Sequence, residues 1–139
     1  MTEAATIRQI RDQTRVIAVV GLSPKHERPS WGVARFLQVQ GYRIVPVNPG
    51  HAGEKILGET VYSDLTSIPA DAHVDMVDIF RRSEAVPDIV DEALKVLPDL
   101  KTIWMQLGVE NAGAAAIAEA AGIVVIQDRC PKIEFPRLD

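Results

Sequence analysis

The segment Val16-Ile17-Ala18-Val19-Val20-Gly21-Leu22-Ser23-Pro24 carries the clearest structural signal in the chain. Its first five residues are apolar and mostly β-branched, which is typical of a strand buried on both faces of a parallel sheet. A glycine turn follows, and an apolar helical pattern begins near Ser30 and ends at Gly41. A strand, a glycine turn and a helix in this order predict the first unit of an α/β domain.

The same alternation continues to the end of the chain. Further apolar runs predict strands at residues 44–47, 74–79, 102–105 and 123–126, with helices opening near Ser83 and Asn111. Strands that alternate with helices imply right-handed crossovers and a doubly wound parallel sheet with helices on both faces. We therefore expect a Rossmann-like α/β fold of about five strands in the order 3-2-1-4-5, preceded by a short helix over about residues 3–12.

Length and composition indicate one globular domain, with its core over about residues 14–138. The chain has 139 residues, of which 47% are apolar and 24% charged, and its net charge is −4. An acidic balance argues against general nucleic-acid binding, and no apolar run approaches the roughly 20 residues of a membrane span. The N-terminus lacks a signal-peptide pattern, and the single cysteine allows no internal disulfide, so we expect a cytoplasmic protein.

The predicted fold places a ligand beyond the carboxyl ends of the strands, where the strand order reverses. In the expected order, that crevice lies between strands one and four. Gly21 follows strand one, and Gln106 and Gly108 follow strand four. Glycine at such places permits close approach of the backbone to a ligand.

The loop after strand one has the character of an anion site. Lys25, His26 and Arg28 precede Ser30 at the predicted helix start. Free N–H groups at a helix start attract anions, and nearby cations add to that attraction, so a diphosphate is a natural ligand. Arg28 and Ser30 are the favoured contacts, whereas Lys25 and His26 fit a solvated loop.

Two common nucleotide motifs are absent. The loop is neither G-x-x-x-x-G-K-[ST] nor G-x-G-x-x-G, because Ser23 replaces the second glycine. An NAD site also needs an acid near the end of strand two, where this chain has Val47-Asn48-Pro49. The missing acid counts against NAD, but not against a nucleotide with a 3′-phosphate on its ribose, such as coenzyme A.

Several short motifs together resemble the stand-alone CoA-binding domain proteins of bacteria and archaea, which are similar to the CoA-binding domain of the succinyl-CoA synthetase α subunit. The resemblance covers about residues 14–138. The motifs are Val20-Gly21-Leu22-Ser23-Pro24, Arg28-Pro29-Ser30, Gly41-Tyr42, Pro46-Val47-Asn48-Pro49, Leu57-Gly58, Asp78-Ile79-Phe80-Arg81, Trp104-Met105-Gln106-Leu107-Gly108 and Asp128-Arg129-Cys130-Pro131-Lys132-Ile133-Glu134.

The resemblance implies that coenzyme A or an acyl-CoA lies across the carboxyl edge of the sheet. It puts the phosphates near the loop after strand one and the adenine near Asn48 and Pro49. It runs the pantetheine arm along Ile79, Phe80 and Arg81, at the end of strand three. Arg43 stands where the synthetase domain has a lysine that contacts coenzyme A. The expected contacts are therefore Gly21, Ser23, Arg28, Ser30, Arg43, Asn48, Pro49, Ile79, Phe80, Arg81, Gln106 and Gly108.

One motif resembles the phosphohistidine loop of the synthetase, namely Gly50-His51-Ala52-Gly53. In the synthetase that loop lies in a later domain, whereas here it follows strand two. We therefore do not expect a phosphohistidine. The three histidines are scattered and predict no metal site.

The sequence presents no nucleophile, base and orienting group in a plausible triad, so we expect a binding protein without catalytic machinery of its own. One alternative is an NAD(P)-linked oxidoreductase, and another is a CoA-dependent enzyme that uses Cys130. A third is a regulatory subunit that senses coenzyme A. Arg129 and Lys132 flank Cys130 and would favour its thiolate, which makes it a candidate for a mixed disulfide with coenzyme A, unless it is a buried packing residue.

Overall fold

Seven strands and five α-helices build the computed structural model, which describes residues 2–138. The strands are β1 (Val16–Val20), β2 (Arg43–Val47), β3 (Lys55–Ile56), β4 (Glu59–Thr60), β5 (Met76–Ile79), β6 (Thr102–Met105) and β7 (Val124–Ile126). The helices are α1 (Glu3–Gln13), α2 (Pro29–Val39), α3 (Val86–Val96), α4 (Ala112–Ala120) and α5 (Pro131–Glu134). Short 3₁₀ turns cover residues 49–51, 70–72, 83–85 and 135–138.

The main sheet is parallel throughout and has the order β2-β1-β5-β6-β7, while β3 and β4 form a small hairpin. The Rossmann-like α/β class is confirmed. The predicted position of the third main strand was wrong, because β5 lies beside β1 rather than beside β2. The buried carboxylate of Asp75 anchors this pairing by accepting the backbone N–H groups of Arg15 and Val16, each at 3.0 Å.

A rudimentary strand occupies the place next to β2. Tyr62 forms a single parallel bridge with Val47 there. If this bridge is counted, the sheet has the Rossmann order 3-2-1-4-5-6, with β5 as its fourth strand. The reversal of strand order therefore lies between β1 and β5, and the site is built from the loops that follow these two strands.

The core is divided between the two faces of the sheet. Helices α3 and α4 cover one face, where Ile79 and Met105 are fully buried. Helices α1, α2 and α5 cover the other, around Trp104, whose ring meets Phe135 edge-on at 5.8 Å and whose Nε1 donates to the carbonyl oxygen of Arg129. Because neighbouring strand residues point to opposite faces, both layers draw on every strand of the main sheet.

None of the helices within residues 2–138 is long and apolar enough to cross a membrane.

Candidate functional site

A cleft opens at the carboxyl edge of the sheet, where β1 ends and α2 begins. We call it the α2 cleft. No aspartate or glutamate among residues 2–138 lines it, although the chain as a whole is acidic. Its lining residues are Gly21, Ser23, Lys25, Arg28, Pro29, Ser30, His51 and Phe80. Its cations and the positive end of the helix dipole act together, so this cleft attracts anions.

Gly21 allows the backbone after β1 to pass close to the backbone after β5 at the cleft. Its φ is +91°, and its N–H donates to the carbonyl oxygen of Val47 at 2.8 Å. A Cβ at this position would lie 2.5 Å from the carbonyl oxygen of Phe80 and 3.1 Å from Cδ of Arg81. The side chain of Arg81 therefore passes over Gly21, and this position requires glycine.

Ser30 holds the loop in place instead of capping the helix. The helix begins at Pro29 behind Arg28, which makes no side-chain capping bond. The hydroxyl of Ser30 is buried and accepts the N–H of Ser23 at 3.0 Å, while the hydroxyl of Ser23 accepts the N–H of Lys25 at 3.1 Å. The start of α2 is thus left without a side-chain cap, as an anion site needs.

Further contacts fix the shape of the same loop. The rings of His26 and Trp31 stack with their centroids 4.0 Å apart. Asn48 joins the loops after β1 and β2, because its Nδ2 donates to the carbonyl oxygen of Leu22 and its Oδ1 accepts the N–H of Gly50, both at 3.0 Å. Asn48 therefore holds the two loops together.

A second cleft lies on the other side of Arg81 and has the opposite charge character. It contains three acidic residues and one arginine. Its lining residues are Val20, Val47, Pro49, Ser63, Asp64, Leu65, Arg81, Ala85, Asp88, Ile89 and Glu92. Pro49 lines this second cleft, whereas His51 lines the α2 cleft. The loop after β2, which was predicted to lie near adenine, therefore borders both clefts.

The residues after β6 lie farther from the α2 cleft than the sequence suggested. Because β5 separates β6 from β1, Gln106 and Gly108 stand two strand spacings, about 10 Å, from β1. Gln106 is buried, and its side-chain nitrogen can donate to both carboxylate oxygens of Asp78, at 3.0 and 3.1 Å. Gly108, with φ +81°, donates its N–H to Asp128 at 2.8 Å.

Three other predicted residues do not join the cleft. Ile79 is fully buried and faces α3 and α4. Arg43 begins β2, so it lies at the amino edge of the sheet, where its Nε is 3.4 Å from a carboxylate oxygen of Glu59. Cys130 is 6% exposed and packs among the core residues around Trp104, which matches the packing alternative.

The sequence missed two residues of the cleft. Lys25 was assigned to a solvated loop, and His51 was set aside with the phosphohistidine resemblance, yet both line the α2 cleft. His51 ends the 3₁₀ turn that follows β2, and its position depends on how that loop folds back toward α2. No local sequence pattern carries this information.

Asp78 should make the stability of the protein depend on pH. It is fully buried, and burial raises the pKa of its carboxyl group well above the ordinary value. Between the ordinary carboxyl pKa and the raised one, the unfolded chain releases a proton that the folded chain keeps, so the free energy of unfolding of wild type falls as the pH rises. Asp78→Asn has no proton to lose and can keep a hydrogen bond to Gln106.

We therefore expect Asp78→Asn to be more stable than wild type at pH 7, with an advantage that shrinks as the pH falls toward about 4. Urea unfolding at pH 4, 5.5 and 7 measures this difference. Changing the exposed Asp71 in the same way controls for the loss of one negative charge. A stability difference that is the same at all three pH values would contradict the assignment.

The fold and the α2 cleft together define the class of the protein: a Rossmann-like domain with a cation-lined cleft where the strand order reverses. The model of the CoA binding domain family matches residues 15–136, and the chain belongs to this family.

The chain is also similar to individual proteins over most of its length. The chain is 38% identical over 129 residues to the uncharacterized protein YneT of Bacillus subtilis, covering 93% of this chain and 91% of that one. The structure of cell-free ID.343 from Thermus thermophilus is 33% identical, with a TM-score of 0.90 over 99% of this chain and 100% of the other. A hypothetical protein from Pyrococcus horikoshii, also 33% identical, has a TM-score of 0.89 over 99% and 92% of the two chains.

Proposed function

We propose that this protein binds coenzyme A or an acyl-CoA at the carboxyl edge of its sheet, with the diphosphate in the α2 cleft. The observation that carries the proposal is the charge of that cleft: Lys25, Arg28 and His51 line it, and no acid within residues 2–138 does. Family membership supports coenzyme A as the nucleotide.

The end of β2 supports coenzyme A over NAD. In NAD sites an acid at this place binds the ribose hydroxyls. Here Asn48 follows β2, and both ends of its side-chain amide are already engaged by backbone groups. A carboxylate would repel a 3′-phosphate, whereas a neutral amide would not.

We propose further that the protein contributes no catalytic group of its own. The buried thiol of Cys130 argues against a CoA-dependent reaction through that residue. Asp78 is enclosed with Gln106 and has no open path to the cleft as a base. A role as a regulatory subunit that senses coenzyme A is compatible with the same binding site.

Coenzyme A is expected to raise the melting temperature, and NAD is not. A ligand that binds only the folded state at 100 times its Kd adds about 2.7 kcal/mol, which corresponds to roughly 10 °C for a domain of this size. Differential scanning fluorimetry with coenzyme A, acetyl-CoA and NAD at equal concentrations measures the shifts. Stabilisation by NAD without stabilisation by coenzyme A would refute the proposal.

A further inference from the structure

We propose that His51 is a pH-dependent contact of the α2 cleft, which binds the diphosphate of the nucleotide more tightly when its imidazole is protonated. This inference rests on the proposed function and adds a regulated contact to that site. His51 is the residue of the Gly50-His51-Ala52-Gly53 motif that lines the α2 cleft, and the proposed function gives it no separate role.

The first observation is the position of His51. It lines the α2 cleft together with Lys25 and Arg28, although 26 positions separate it from Lys25 in the chain. Asn48 fixes the start of its turn by accepting the N–H of Gly50 and donating to Leu22. The His51 side chain is 36% exposed, so a ligand in the cleft can reach it.

The second observation is the orientation of the ring. Nδ1 of His51 faces the carboxylate of Glu54, with its oxygens at 3.1 and 3.2 Å. Nε2 makes no hydrogen bond within residues 2–138. Nδ1–H therefore donates to Glu54, and Nε2 is the nitrogen available to a ligand.

Protonation then reverses the chemistry of Nε2. In the neutral ring with Nδ1–H directed to Glu54, Nε2 is an acceptor, and its lone pair opposes a phosphate oxygen. In the imidazolium form Nε2–H is a donor, and its bond to a phosphate oxygen is charge-assisted. Histidine changes charge between about pH 5 and 8, so this contact is gained as the pH falls.

The charged neighbours of His51 determine the size of the effect. Lys25 and Arg28 face it from the loop after β1 and the start of α2, and Arg81 lies over Gly21 on the side of β5. Glu54, from its own loop, is the acid that contacts it among residues 2–138. A bound diphosphate brings negative charge beside these cations and attracts the protonated ring of His51, so binding and protonation are coupled.

The test is the dissociation constant of coenzyme A at pH 5.5, 6.5, 7.5 and 8.5 for wild type and His51→Gln, by calorimetric titration. Coenzyme A itself titrates near pH 6 at its 3′-phosphate, so the quantity to compare is the ratio of the two constants at each pH. We expect wild type to bind about three- to tenfold more tightly than His51→Gln at pH 5.5, and equally at pH 8.5.

Two further measurements sharpen the test. Dephospho-coenzyme A lacks the 3′-phosphate, so the same ratio with this ligand supports the diphosphate as the partner, and its disappearance overturns that assignment. Glu54→Gln keeps an acceptor for Nδ1, so the ring keeps its orientation and this variant should still bind more tightly than His51→Gln at pH 5.5. Melting curves of both variants without ligand establish that they fold.

A ratio near one at every pH, with coenzyme A still bound by wild type, would overturn the inference and leave the proposed function intact. Failure of wild type to bind coenzyme A at any pH would instead overturn the proposed function.

Discussion

Gly21→Ala is expected to lower the free energy of unfolding by roughly 3 kcal/mol and to abolish coenzyme A binding at ligand concentrations that saturate wild type. Two costs combine at this position. Alanine is strained at φ +91°, and its Cβ would meet the backbone oxygen of Phe80 at 2.5 Å, where no flexible side chain can move aside. To relieve the contact, the β1 loop or the end of β5 must shift, and either shift distorts the α2 cleft.

Urea unfolding and calorimetric titration of the variant measure the two effects. Gly122→Ala is the matched control, since its φ is +87° but a Cβ at that position would have no atom within 4 Å among residues 2–138. It should cost only about 1 kcal/mol, from the backbone conformation alone, and leave binding unchanged. Equal effects of the two substitutions would show that the contact with Phe80 has no role.

Arg28→Ala is expected to weaken coenzyme A binding by roughly 1.5–3 kcal/mol, or about 10- to 150-fold, because a charge-assisted phosphate contact is lost. Arg28 lines the α2 cleft at the start of α2, yet its side chain makes no capping bond. The substitution should therefore leave the stability of the unliganded protein almost unchanged.

Arg82→Ala is the control for charge, because Arg82 is exposed and does not line the α2 cleft. Calorimetric titration should detect less than a threefold change for it, as for a solvated arginine. The loss for Arg28→Ala should also shrink as salt is added, because salt screens exposed ionic contacts. Similar losses for the two arginines would place the phosphates elsewhere.

The class of fold could be predicted because its signals are local. The β-branched run of β1, the glycine after it and the helix that starts at Pro29 lie within a few residues of one another. The neighbour of β2 could not be predicted, because a single bridge through Tyr62 leaves no periodic pattern in the sequence. Because of that error, the crevice was expected between β1 and β6, whereas it lies between β1 and β5.

The residues of the site could likewise be predicted where they are close together in the sequence, but not where they come from distant segments. The loop after β1 and the first turn of α2 contain Gly21, Ser23, Arg28 and Ser30, and these four residues line one cleft. Contacts between distant segments were beyond the reach of local patterns. The burial of Gln106 against Asp78 is one case. The place of His51 at the α2 cleft depends on Asn48, whose side chain caps the turn and also bonds to Leu22, 26 residues away in the chain.

The hydroxyl of Ser30 has a consequence for the thermodynamics of ligand binding. The loop after β1 is held in one shape without a ligand. It is fixed by the bond of Ser30 to the N–H of Ser23, by the stacking of His26 on Trp31 and by the bond of Asn48 to Leu22. A free loop of this length would lose backbone entropy on closing around an anion, at a cost of about 1–2 kcal/mol per ordered residue. Here that loss belongs to folding, so the cleft is preorganised and the affinity of an anion is not reduced by ordering the loop.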